Sequence, residues 1–475
     1  MFALTQVQPP LEFIPPSFNP VVLRLTQWAI RPLYQQFLTN IRSIEIQNLE
    51  QLADLYSQFQ AGKIRLLLAF RHPSTYDPLC LGYTIWQELP KIARQQQIPL
   101  SASPHFHFIY DRGIPLWAGS TVGWLYSQLG GTPIHRGKLD IVGLRSARHL
   151  FANGSFPLAA APEGATNGHN EIISPLEPGI AQLGFWCVED LKKNNRPEEV
   201  LILPVGMQYR YLTPPWQALE RLLAELEETC GITEPLALET LPQLPESEMN
   251  DPQSVLSPQQ QVILYGRLYR LGEHLLTQME AFYRRFYHQQ IKTDPQTPFA
   301  ERLSQLLDTA LGVAEQFFNI PPKGNAIDRC RRLEEAGWAY IYREDIPNLE
   351  VLSPLERSLA NRIAQEADLR LWHMRLVESF VAVTGRYVQE KPSAERFADT
   401  ALLLWDAIAR IQGTNPFNRP RLGKQSCQIT IGEPLSVSQR WETYTQNRAR
   451  AKQAVTDLTQ DLQQALSGLI VSDAG

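Results

Sequence analysis

The feature that most limits how this chain can fold is a series of short apolar runs separated by stretches of helical periodicity. In "KIRLLLAF" (63–70) the apolar residues are unbroken from Leu66 to Phe70, and Arg71, His72 and Pro73 end the run abruptly. Such a run fits a strand covered on both faces, as the strands of parallel sheets are. Similar runs lie at 105–111, 132–136, 156–162 and 199–209, with helical stretches at 78–89, 120–129, 140–152 and 179–192 between them. "IRSIEIQNLEQL" (41–52) adds a short strand leading through a turn into a helix. Strand alternating with helix predicts an α/β fold, a largely parallel sheet flanked by helices.

The pattern changes after Tyr211. "TPPWQALERLLAELEETCGI" (213–232) reads as a helix, and the proline-rich polar stretch 240–258 as a linker. Long helical patterns follow at 257–289, 298–318, 325–343, 353–388 and 393–412, predicting an all-α domain. One strand pattern then returns in "SCQITIGEPLSV" (426–437), ahead of a charged helix over 439–469. A lone strand needs a sheet to join. The expected organisation is therefore an N-terminal amphipathic helical segment (1–42), an α/β domain (43–212), an inserted all-α helical domain (213–424), and a returning strand and helix (425–475).

With 44% hydrophobic and 20% charged residues the chain has globular composition, and a net charge of −5 argues against a nucleic-acid partner of the usual basic kind. Cys80, Cys187, Cys230, Cys330 and Cys427 are scattered, which suggests neither a disulfide framework nor a metal site and fits a reducing compartment. No run reaches the roughly 20 apolar residues of a spanning helix. Residues 21–38 do form an amphipathic pattern, with Val22, Leu25, Ala29, Leu33 and Phe37 on one face and Arg24, Gln27, Arg31 and Gln35 opposite. That apolar face suits a membrane surface or the protein's own core.

"FRHPSTYDPL" (70–79) places His72 five positions before Asp77. On an unbroken helix those positions are about 140° apart, so the two side chains can meet only across a bend. Pro78 supplies it, disfavouring helical geometry at Asp77 and suiting a first helical turn, which makes Asp77 a natural N-cap and leaves His72 in the preceding loop. An imidazole oriented by a carboxylate can remove a proton from a hydroxyl. A plain helix cap beside a loop histidine fits the same spacing. His105, His107, His135 and His169 have no metal-ligand spacing and read as hydrogen-bonded structural histidines.

Further along, "GGTPIHRG" (130–137), "APEGATNG" (161–168) and "LILPVG" (201–206) follow in order, each at the end of a predicted strand. With the His–Asp pair they resemble the four blocks of the glycerophospholipid acyltransferase superfamily: His-x4-Asp, Gly-x-Ile/Val-x-x-x-Arg, Pro-Glu-Gly and Val/Leu-Pro-Val. The likeness spans roughly residues 44–208 and 425–435 and leaves the helical region aside. It implies an acyltransferase-like sheet, with His72 as catalytic base and Asp77 as its orienting partner. Arg136, Glu163 and Gly164 would line the acceptor site and Pro204 the pocket wall. The implied reaction, part of phospholipid biosynthesis, moves a fatty acyl group from acyl-CoA or acyl-carrier protein to a hydroxyl of a lysophospholipid such as 1-acylglycerol 3-phosphate. It needs no cofactor or metal, and would run peripherally on the cytoplasmic face of a membrane. Two departures stand out. Arg71 occupies the place of the usual asparagine, and Ala165-Thr166-Asn167 follows Gly164 where Thr-Arg is usual. Either Thr166, Asn167 or Arg71 replaces the missing phosphate ligand, or the acceptor is a non-phosphorylated lipid alcohol. A non-catalytic lipid-binding scaffold is the third reading.

Overall fold

A strand whose seven residues, Ile64–Phe70, are all buried organises the sheet. The computed structural model describes residues 5–36, 40–135, 140–166, 168–234, 256–291, 297–346, 348–380, 386–416 and 418–470. Its strands are β1 (Ile41–Gln47), β2 (Ile64–Phe70), β3 (His107–Asp111), β4 (Gly131–Ile134), β5 (Leu158–Ala160), β6 (Glu199–Tyr211), β7 (Gln425–Ile431) and β8 (Leu435–Ser436). They form one eight-stranded sheet in the order β1-β7-β6-β2-β5-β3-β4, with β8 pairing β6. The pairs β1/β7, β2/β5, β2/β6, β3/β4 and β3/β5 are parallel, while β6/β8 is antiparallel. The fold is α/β, and the returning strand joins the sheet as its spacing predicts.

Alternation along β2 divides the core. Ile64, Leu66, Leu68 and Phe70 pack with helix Leu49–Gln60 and the helical run beginning at Asp77; Leu67 and Ala69 pack with Ile141–Asn153, Gly179–Lys193 and Arg448–Gly468. The run from Asp77 is helical to Gln95 but passes through a wider π turn at Thr84–Glu88. Pro90 lies just beyond it and has no N–H for the preceding turn, so a locally widened ladder accommodates it.

The chain divides into two compact units, residues 12–210 with 424–475 and residues 1–11 with 211–423. In the second, the described elements are the helices Trp216–Thr229, Pro258–Tyr287, Phe299–Phe318, Ala326–Ile341, Pro354–Phe380, Tyr387–Glu390 and Ala394–Gln412. Ser257 with Gln260 and Asn325 with Asp328 form reciprocal capping boxes that set two of their starts. The N-terminal strip joins this unit because Gln8 bridges to Tyr342 and Val7 is buried among its apolar side chains.

Several boundaries differ from the sequence reading. Of the helix expected over 353–388 the described residues hold Pro354–Phe380 and a separate short helix, Tyr387–Glu390, with Arg386 at its N-cap; residues 381–385 lie outside them. The helix expected over 439–469 is broken at Asn447, whose side chain accepts the Arg450 amide at 2.9 Å and starts a new helix. Most of the expected linker, 240–255, lies outside the described residues. In helix Pro20–Gln36, among the residues whose side chains are described, Leu23 and Ile30 are buried while Val21, Leu25 and Trp28 are exposed. Leu25, expected on the apolar face that packs inward, is instead exposed. Gly82, where a Cβ would stand 3.2 Å from Ile30 Cδ1, opens the space that draws Ile30 inward.

His105 gives this unit a pH dependence. Its Nδ1 accepts the Trp86 indole N–H at 3.2 Å and its Nε2 donates to Leu129 O at 2.8 Å, an arrangement only the neutral ring satisfies. Burial, and secondarily His107, lowers its pKa from 6.5 to about 4 despite the opposing Leu129 bond. The unfolded chain therefore binds more protons between those values, so stability falls as pH drops from 6.5 towards 4. The loss is on the order of 3 kcal/mol at about 1.4 kcal/mol per unit. Urea unfolding midpoints at pH 7, 6 and 5 should decline accordingly, with a shallower decline in a His105→Gln variant.

Candidate active site

Strand parity aims the first residues of the site. β2 and β6 run parallel with Phe70 opposite Val205, so even positions of β2 share a face with odd positions of β6. His72, two residues beyond Phe70, stays on that face, and its ring meets Phe70 edge-on at 5.9 Å between centroids. The chain then bends through Pro73 and Ser74 into helix Asp77–Tyr83, with Pro78 in the first turn. Tyr76 holds the N-cap position, and Asp77 is the first helical residue rather than the cap. This one-residue shift leaves the Asp77 side chain free to reach back over the bend instead of capping the helix amides.

The Asp77 carboxylate is fully buried and accepts three contacts. Oδ2 lies 2.8 Å from His72 Nδ1 and 3.0 Å from the Ser74 amide nitrogen, and Oδ1 accepts the hydroxyl of Tyr209. An ionised carboxylate can only accept, so Nδ1 of His72 carries its hydrogen towards Oδ2. The remaining ring nitrogen, Nε2, is then the acceptor. With 22% of its side chain exposed, His72 is accessible while its partner is not. Such a pair can take a proton from a bound hydroxyl and return it to a leaving group.

A further anchor holds the histidine. Glu163, 2% exposed, accepts the His72 amide on Oε1 and the Ser174 amide on Oε2, both at 2.9 Å. Burial raises the Glu163 pKa, opposed by the nearby Arg71 charge and by these two amide bonds. Gly164 follows with φ +72°, a left-handed conformation that strains any residue with a Cβ. Arg71 has the opposite parity to His72 and is buried. Its guanidinium donates to the carbonyls of His169, Asn170, Ile172 and Met207, tying the segment after the Pro-Glu-Gly loop to the end of β6. Asn170 adds to this tie by accepting the Tyr209 amide at 2.8 Å.

These placements revise several expectations. His72, Asp77, Glu163 and Gly164 come together, but the Glu163 carboxylate turns to the backbone of His72 and Ser174. Arg71 points into the protein's own carbonyls and is not offered to a phosphate. Thr166 is exposed, next to Asn167, which like Arg136 lies outside the described residues. Pro204 is buried inside β6, opposite Ala69, with its carbonyl accepting the Gly432 amide at 2.9 Å. It is a residue of the sheet. His105 and His107 are hydrogen-bonded in the core, His107 through Nδ1 to Gly130 O at 2.9 Å. No local sequence pattern marks Tyr209 or Ser174. Only strand parity could have singled out Tyr209, since 132 positions separate it from Asp77.

Arg71 should not tolerate lysine, because one ammonium cannot reach carbonyls on both the 169–172 segment and β6. Arg71→Lys is expected to lose about 2–3 kcal/mol of stability, seen as a lowered thermal midpoint with secondary structure retained below it. In comparisons with known proteins, no family model, no curated protein and no solved structure matches this chain.

Proposed function

We propose that the protein is an O-acyltransferase of lipid metabolism, with an acyl thioester as donor and a lysophospholipid such as 1-acylglycerol 3-phosphate as acceptor. The observation that carries this reading is the 2.8 Å contact between His72 Nδ1 and the buried Asp77 carboxylate, beside a Pro-Glu-Gly loop latched to the His72 amide. His72 Nε2 takes the acceptor's hydroxyl proton as its oxygen attacks the thioester carbonyl. The tetrahedral intermediate then collapses, the C–S bond breaks, and the imidazolium returns the proton to the departing thiolate. A thioester has a good leaving group already, so positioning and deprotonating the alcohol are the protein's main tasks. The donor is acyl-CoA or acyl-carrier protein. Arg136 remains the proposed phosphate ligand.

One observation favours a second acceptor class. With the Arg71 guanidinium engaged by backbone carbonyls and no arginine after Gly164, a non-phosphorylated lipid alcohol is the alternative. In this reading residues 213–424 are a helical domain inserted between β6 and β7.

Among the described residues no helix is long and apolar enough to cross a membrane. The reading places the protein peripherally on a membrane's cytoplasmic face, where its lipid acceptor resides. Val21, Leu25 and Trp28 support it: they lie at helical spacing on the exposed side of Pro20–Gln36, and Trp28 is 78% exposed.

His72→Ala should lower acyl transfer by about 10²- to 10⁴-fold with an unchanged circular dichroism spectrum. Product analysis by mass spectrometry, with matched phosphorylated and non-phosphorylated acceptors, separates the two classes. Lipid binding without any product selects the scaffold and sinks the enzyme reading. In liposome flotation, Leu25→Glu with Trp28→Glu should weaken binding more than about tenfold, since each side chain contributes roughly 1.5–3 kcal/mol of apolar burial. Unchanged flotation would remove this helix from the interface.

A further inference from the structure

We propose that Tyr209 is a positioning residue of the His72–Asp77 pair, setting the proton affinity of the imidazole by donating its hydroxyl to the far oxygen of the Asp77 carboxylate. The inference rests on the reading of His72 as a base, and it adds a third member, from β6, to a pair that otherwise belongs to one short segment.

The geometry gives each carboxylate oxygen a separate task. Oδ2 faces the bend and receives His72 and the Ser74 amide, while Oδ1 faces β6 and receives Tyr209. Tyr209 is itself held, its amide on Asn170 Oδ1 at 2.8 Å and its ring in the apolar layer between the sheet and the helix that starts at Asp77. Its oxygen also lies 3.7 Å from Cys80 Sγ, one helical turn beyond Asp77. A hydroxyl fixed in this way orients the carboxylate plane, so that Oδ2 is presented to Nδ1 rather than rotating away. It also draws off part of the carboxylate charge. The less charge Asp77 presents to the ring, the less it stabilises the imidazolium.

The ionisable neighbours leave this donor intact. From the helix comes Cys80, from β7 Cys427, and from the Pro-Glu-Gly loop Glu163, whose carboxylate sits on the His72 amide with Arg71 behind it. Burial first, and the Asp77 charge second, hold the Tyr209 phenol well above its ordinary range, and burial does the same for the Cys427 thiol. Tyr209 is thus a proton donor throughout the range in which a histidine titrates.

The test is the His72 titration itself, read by NMR in full-length protein carrying ring-labelled histidine, with the His72 signal identified by its absence in His72→Ala. Tyr209→Phe removes the donor and should raise the His72 midpoint by about half a unit or more. Site-specific 3-fluorotyrosine at position 209, a stronger donor of nearly the same shape, should lower it, and it preserves the test if the phenylalanine variant does not fold. Opposite shifts are not expected of a residue that only packs. Midpoints that coincide in wild type and both variants, or in wild type and the fluorotyrosine protein where Tyr209→Phe is unfolded, would overturn the proposal. The measurement needs no substrate: a Tyr209-dependent midpoint without acyl transfer would count against the enzyme reading and leave this one standing.

Discussion

The site depends on making a fully buried carboxylate tolerable. An isolated buried charge costs far more than one domain's margin of stability. Asp77 is kept by three donors reaching it from different directions: an amide in the bend, an imidazole at the end of β2 and a phenol on β6. Each donor comes from an element whose position is fixed for other reasons, so the carboxylate needs the strand ends and the helix start already in place. The same requirement makes the pair rigid. A histidine that is only partly exposed, gripped by a partner that is not exposed at all, has little freedom to adopt a second orientation.

Around this point the sheet acts as an aiming device. Parity carries His72 and Tyr209 to one face and Arg71 to the other, so adjacent residues at the end of β2 do different work. His72 faces a helix start and an opening to solvent. Arg71 enters the protein and gathers carbonyls that an irregular segment would otherwise leave unpaired, a role suited to a planar, many-donor cation. Glu163 joins the two sides, accepting the His72 amide with one oxygen and the Ser174 amide with the other. The Pro-Glu-Gly segment thus latches the histidine backbone, which is a structural contribution to the site quite apart from any contact with substrate.

Much of the architecture was legible because it follows from short-range pattern. The unbroken run Leu66–Phe70 meant burial on both faces, and the alternating "QITI" meant a strand in need of a sheet. The bend between His72 and Asp77 could be read from Pro78 alone. Less visible were features set by neighbours distant in sequence. Amphipathicity located a helix at 21–38, observed as Pro20–Gln36, yet Leu23 and Ile30, not Leu25, face the interior, because the space left by Gly82 decides which side packs. Arg71 looked available for a phosphate because a sequence shows a charge but not the carbonyls that already hold it.

The sequence by itself determined the alternation of strands and helices, the proline-broken corner that lets His72 meet Asp77, and the order of the loop segments that follow. These are local matters of periodicity, backbone restriction and spacing. Only the tertiary structure decided that Tyr209 donates to Asp77, that Glu163 latches the backbone and that Arg71 is spent internally. Those contacts join residues roughly a hundred positions apart, and their partners are chosen by strand register and parity, which exist only once the sheet has formed.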